Sequence, residues 1–328
     1  MKYSYILLIF LILFSCSPEE DTRKQMILDM PFKQLENYEH DFNAPVIDRI
    51  QEAPLILLDE IMLWDNVDNY SQYIPTEKEL SMFESYLRLI PEKNLQVLEE
   101  KLVGIYFINN LIGSGLADYI FDESDELYCI LLLNPDVFKY DISSWLTLRE
   151  NSCFVQDGSG IKIKVECGTE FSGLLYILLH ETTHIVDYVE TITPYCESDL
   201  TYFFEPEEPG NNDFTKGIWA EYNILLKTYE FPEQESISYY GLGGPNFAFK
   251  EAVSVWEQVK QTPAASLYGC MSWAEDLAEY ITWYHYTQIM GQSYKIVLLN
   301  SGKVLYEYEP FLEQKVLERI DTLPQFYD

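Results

Sequence analysis

Residues 178–187 read LLHETTHIVD, within a run from Phe171 to Val189 whose length and apolar content predict a helix. On a helix, residues four apart share a face, so His180 and His184 direct their imidazoles to one spot with Glu181 beside them. That pattern suits Zn²⁺. The ion takes neutral imidazole nitrogens at about 2 Å, and a neighbouring carboxylate can accept a proton from an activated water. The competing reading is two structural histidines in an apolar helix. The chain has only 4 histidines, and two of them are spent here, which favours chemistry.

Two histidines leave a catalytic zinc one protein ligand short. Glu190, six residues past His184, would need a sharp chain reversal, and the pattern continues the helix through Asp187, so Glu190 is set aside. The better source is SWAEDLAEY, residues 272–280. There Glu275 and Glu279 lie four apart among apolar residues, and a buried carboxylate is costly unless paired or bound to a metal. Glu275 as ligand and Glu279 as acceptor for a histidine N–H would satisfy both. The alternative is a solvated acidic helix face. Asp187 shares the face of His184 and is a further candidate to brace it.

His180-Glu181-x-x-His184 followed far downstream by Glu275-x-x-x-Glu279 resembles the gluzincin class of zinc metallopeptidases. The local match is closest to the catalytic domain of anthrax lethal factor: Tyr268-Gly269 before Ala274-Glu275, then Ala278-Glu279, and Val186-Asp187 after the second histidine. The resemblance covers about a third of the chain and is specific only in these blocks. It implies a zincin-like fold and zinc held by His180, His184 and Glu275. It also implies Glu181 as general base and Tyr268 as donor to the oxyanion. The gap from His184 to Glu275 is longer than in the simplest members of that class.

The N-terminus carries a different signal. Lys2 precedes an apolar run from Tyr5 to Phe14, too short to span a bilayer, ending in Leu13-Phe14-Ser15-Cys16. This resembles a bacterial lipobox with Cys16 as the lipidated residue. Ser17 to Asp21 resembles the acidic tag of surface-exported lipoproteins. The expectation is an outer-membrane lipoprotein facing the periplasm or the cell surface, touching the membrane through its N-terminal lipid only. An ordinary signal peptide is the alternative. Beyond Cys16 there are five cysteines, so at least one is unpaired in a monomer; Cys153 and Cys167 could bridge, or all could be buried thiols. With 54 acidic against 21 basic residues and a net charge of −33, nucleic acid is excluded as a natural partner.

Elsewhere, helical spacing marks 46–64, 76–90, 92–101, 215–230, 248–261, 272–290 and 311–323. Strands are expected at 102–109, 128–133, 145–150, 153–155 and 161–165, the last two as a hairpin, with another at 295–299 and 303–308. Residues 191–212 are acidic and rich in turn formers and read as an excursion that could lie over a site. His40 and His285 read as structural, and the aromatic helix around Trp273, Tyr280, Trp283, Tyr284 and Tyr286 as core. The divisions are a signal at 1–15, a tether at 16–45, a helical lead-in at 46–101 and an α+β zincin-like domain at 102–328. The outer strand, Ile161–Val165 or its partner, is expected to hold an extended peptide substrate. The expected activity is zinc-dependent peptide-bond hydrolysis. A non-catalytic surface lipoprotein that keeps the fold as a binding module is the alternative.

Overall fold

The computed structural model describes residues 18–327; the expected signal segment and Cys16 lie outside the described residues. In chain order the elements are α1 (Pro18–Leu28), α2 (Leu55–Asp65), β1 (Ser71–Gln72), α3 (Glu77–Leu87), α4 (Glu92–Lys101), β2 (Leu102–Asn109), β3 (Gly115–Phe121), β4 (Leu127–Leu133), α5 (Ile142–Ser152) and β5 (Phe154–Val155). They continue with β6 (Ile161–Glu166), α6 (Gly173–Glu190), β7 (Trp219–Glu221), β8 (Ile224–Leu225), β9 (Phe247–Ala248), α7 (Ala252–Val259), α8 (Trp273–Tyr284), β10 (Lys295–Asn300), β11 (Lys303–Tyr308) and α9 (Gln314–Leu317). The architecture is α+β. Among the described residues no helix is long and apolar enough to cross a membrane.

The larger sheet has the order β1-β2-β4-β3, with β2 and β4 parallel and β3 antiparallel to β4. Residues 103–108 and 129–133 are buried because both faces are covered, which is why these strands read as unbroken apolar runs. One face packs against α3, α4 and α6; the other packs against α2 and the N-terminal segment through Leu35, Tyr38, Leu57 and Ile61. A second sheet, β11-β10-β6, is antiparallel throughout.

Helix α6 is central and buried on nearly all sides, which accounts for the continuous apolar run Leu174–Leu179. Three contacts fix its position. Asn94 of α4 donates to the hydroxyls of Thr182 and Thr183 at 2.8 and 3.3 Å. Gly115 of β3 lets it approach the sheet: a Cβ there would lie 2.8 Å from the Ile177 methyl and 3.1 Å from Glu181 Cγ. At the C-terminal end, Thr191 adopts a left-handed conformation with φ of 50° and donates its N–H to the Asp187 carbonyl.

Several expectations change. Residues 145–150 are helical, not a strand: Ile142, Trp145, Leu146, Arg149 and Glu150 are buried at helical spacing, and Asp141 caps the helix by accepting from Ser144 N at 2.9 Å. The hairpin of 153–155 with 161–165 does not form, because β5 pairs with β9 and β6 with β10. Residues 215–230 form the short hairpin β7–β8 instead of a helix. Gly217 at φ of 78° interrupts helical geometry there, and Trp219 is drawn inward to Asp276. The final helix at 311–323 is broken into short turns around α9. All five cysteines after Cys16 are buried free thiols, so Cys153 and Cys167 do not bridge.

The stretch expected as a tether also packs into the body from Ile27 onward. Phe32, Leu35 and Tyr38 are buried, and Lys33 pairs with Asp118, a buried acid in the middle of β3. Lys33→Met would leave that carboxylate buried without its cation, a loss of roughly 3–5 kcal/mol. Urea unfolding at neutral pH should show it as a lower midpoint with an unchanged slope.

Candidate metal centre

α6 and α8 cross where their acids and imidazoles meet. The N-terminus of α8 is capped by Ser272, whose hydroxyl accepts from Glu275 N at 3.2 Å, and this sets the first turn that carries Glu275. From the opposite end of the chain, Arg319 grips the buried Asp276 with two bonds of 2.8 and 2.7 Å, and Trp219 Nε1 adds a third at 2.9 Å. The acidic helix face is therefore not a solvated one.

Three donor atoms converge at the crossing. His180 Nε2 lies 3.1 Å from Glu275 Oε2 and 3.3 Å from His184 Nε2, and His184 Nε2 lies 3.5 Å from the same carboxylate oxygen. Zinc ligands at about 2.0–2.1 Å in tetrahedral array stand about 3.3–3.4 Å apart. The donor set fits the ion in type and in spacing.

Each histidine is braced from behind. His180 Nδ1 faces Glu279 Oε1 at 3.2 Å and the Tyr176 hydroxyl at 3.4 Å. Glu279 is fully buried; it takes Arg149 Nη1 at 3.0 Å and Trp283 Nε1 at 2.9 Å, and Arg149 is shared with Glu150 at 2.8 Å. Glu279 therefore stands behind His180, on the side away from Glu275. For His184 the partner is Cys196, whose Sγ lies 3.5 Å from Nδ1. Asp187 does not brace His184 directly: its oxygens take Thr193 N and the Thr193 hydroxyl at 2.7 and 2.6 Å, which anchors the loop that delivers Cys196.

Glu181 is buried, and its Oε2 accepts from Ala117 N at 2.9 Å. Tyr268 hangs over the donors with its hydroxyl 3.5 Å from Glu275 Oε1 and its ring 5.6 Å from that of His180. His285 and His40 stay away from the centre; His285 Nε2 lies 2.7 Å from the Leu89 carbonyl, a structural role. Cavities flank the metal position on both sides. One of about 200 Å³ is walled by Ile61, Trp64, Ile177 and Leu242, and another of about 140 Å³ lies beyond His184; Gly115, Leu116, His180, Glu181 and Tyr268 line both.

The strand beside these cavities is β3. β6, expected to hold substrate, is an edge strand of the other sheet, and its outer edge is occupied by α5, where Asn151 and Thr147 bond the backbone of Ile163 and Val165. β3 escapes detection in sequence because Gly115 and Asp118 interrupt its apolar run. Arg149 and Cys196 were also missed. Neither stands at a telling spacing from the histidines, and the only available signal was that a buried carboxylate such as Glu279 requires a cation.

The charges have definite directions. Burial alone would lower the His180 pKa, but its hydrogen bonds to Glu275 and Glu279 outweigh this and push it up to about 10. Glu275, against the effect of burial, is held down at about 2 by the two imidazoles, and Glu279 is lowered chiefly by the Arg149 charge. Glu181 goes the other way, raised by burial despite the nearby imidazoles.

No protein-family model, no curated protein and no solved structure matches this chain.

Two outcomes follow from the electrostatics. Metal-free His180 is imidazolium at neutral pH, so a bound cation must displace its proton. Apparent zinc affinity should then rise about tenfold per pH unit up to about 10, with proton release visible in calorimetry as a dependence on buffer ionisation enthalpy. Cys196→Ala should fold normally and bind zinc roughly 10- to 100-fold more weakly in a chelator competition.

Proposed function

We propose that this chain is a zinc metallopeptidase of zincin-like architecture, anchored to the outer membrane through a lipid on Cys16. The single observation that supports the activity is the near-tetrahedral spacing of His180 Nε2, His184 Nε2 and Glu275 Oε2 beside a buried carboxylate that belongs to none of their pairings. That carboxylate is Glu181. A non-catalytic binding module would carry its burial as a cost with no return.

When bound, zinc supplies Lewis acidity, which lowers the pKa of a water and polarises a carbonyl. The residues do the rest. Glu181, its pKa raised by burial, takes the proton of the attacking water and passes it to the departing amine. Tyr268, kept protonated by burial, donates from its hydroxyl to the oxyanion as the carbonyl becomes tetrahedral. Glu279 and Cys196 hold the imidazoles so that the donor geometry is set before substrate arrives. An extended peptide lies along the accessible start of β3, at Gly115 and Leu116, by strand addition, and the 200 Å³ cavity takes an apolar side chain.

Glu181→Gln should retain stoichiometric zinc while hydrolysis of a mixed peptide library falls roughly 10²- to 10⁴-fold. Tyr268→Phe should lower kcat about 10²- to 10³-fold with KM nearly unchanged, because its bond forms only as charge develops. Zinc in both proteins with no cleavage by either one or by the parent chain would favour the binding module.

A further inference from the structure

α6 and β3 both run from the apolar cavity toward the second, smaller one, which is lined by Ala117, His184, Tyr188, Cys196, Glu197 and Tyr222. Beyond that cavity the free edge of β3 is closed by the protein itself. The Tyr188 hydroxyl, whose proton goes to Glu197, covers the Ala117 carbonyl at 3.4 Å, and the Asp118 carboxylate takes Tyr119 N at 2.8 Å. Gln34, from the N-terminal segment, bridges to Phe121, whose ring is stacked under Phe203 at 4.2 Å. A peptide adding to β3 therefore meets free backbone only before Ala117, whose N–H is held by Glu181 and whose carbonyl is covered by Tyr188.

A carboxylate stands at this stop. Glu197 accepts the Tyr188 hydroxyl with one oxygen and borders the cavity. Lys33, the nearby cation, is already committed to Asp118, and among the described residues no lysine or arginine forms an ion pair with Glu197. Burial and then the Asp118 charge raise the Glu197 pKa, a strain that an incoming cation relieves. A peptide C-terminus would be repelled at the same place.

We propose that the centre acts on peptides from a free N-terminus, the Glu197 carboxylate receiving the α-ammonium at the closed end. The substrate then runs antiparallel to β3, from Glu197 past the donor atoms toward the apolar cavity. Water is added across a peptide C–N bond near that terminus, giving a short N-terminal fragment and a new free amine. The cutting step rests on the hydrolase reading above; recognition of the amine does not.

The test uses the mature chain loaded with zinc and one short synthetic peptide lacking lysine and arginine, free or acetylated at its N-terminus. Binding is measured on the Glu181→Gln protein and cleavage on the parent protein by mass spectrometry. The free amine should bind roughly 10- to 100-fold more tightly, the range of one charged hydrogen bond, and Glu197→Gln should erase the difference. Cuts should fall within the first few residues of the free peptide and be absent from the acetylated one. The comparison of the two peptides needs no substitution at 197, so a misfolded variant would not blunt it. Equal binding of both peptides, or internal cuts in the acetylated one, would overturn the proposal. So would an acetylated peptide accepted as well as the free one once it carries an arginine, since Glu197 would then serve a side chain. Amine-selective binding without cleavage would leave this inference standing and remove the hydrolase; cleavage without selectivity would do the reverse.

Discussion

The structure turns on holding two imidazoles and a carboxylate within 3.1–3.5 Å of one another in a largely buried setting. In water such a group would disperse. Here every element around it limits that freedom: α6 is gripped by Asn94, seated against Gly115 and turned at Thr191, while α8 is capped by Ser272 and clamped by Arg319. The sheet supplies the flat surface against which α6 lies, and the C-terminal segment supplies the cation that fixes α8. Preorganisation is thus spread over the chain from the N-terminal segment to the last turns.

Charge balance explains the arrangement of the surrounding core. Glu150, Glu279 and Arg149 are all buried, an expensive set unless each member is paired. Arg149 satisfies both acids and packs against the rings of Tyr176, Tyr239 and Tyr268, so one guanidinium reaches the carboxylate behind His180 and the tyrosine above it. The thiol behind His184 is a softer brace than the carboxylate behind His180. The two imidazoles are therefore held unequally.

What could be read in advance was whatever depends on local spacing. His180, Glu181 and His184 share one helix, and Glu275 and Glu279 share another, so periodicity alone put each set on a face. That the two faces meet is a tertiary fact, suggested in sequence only by the cost of burying acids. Arg149 was hidden by its neighbours, since Trp145 to Glu150 alternates enough to resemble a strand until Ile142 and the Asp141 cap are counted. β3 was hidden because its central Asp118 is paid for by Lys33 from a segment that looked like a tether. Gly217 and the pull of Asp276 on Trp219 explain why 215–230 turns back instead of continuing as a helix.

The most direct measurement of the central claim is zinc-edge X-ray absorption on the purified mature chain. The account predicts one zinc per chain, with two imidazoles and further nitrogen or oxygen scatterers at about 2.0–2.1 Å. A sulfur scatterer at about 2.3 Å would mean that Cys196 is a ligand and not a brace, and a protein that takes up no zinc would contradict the account outright.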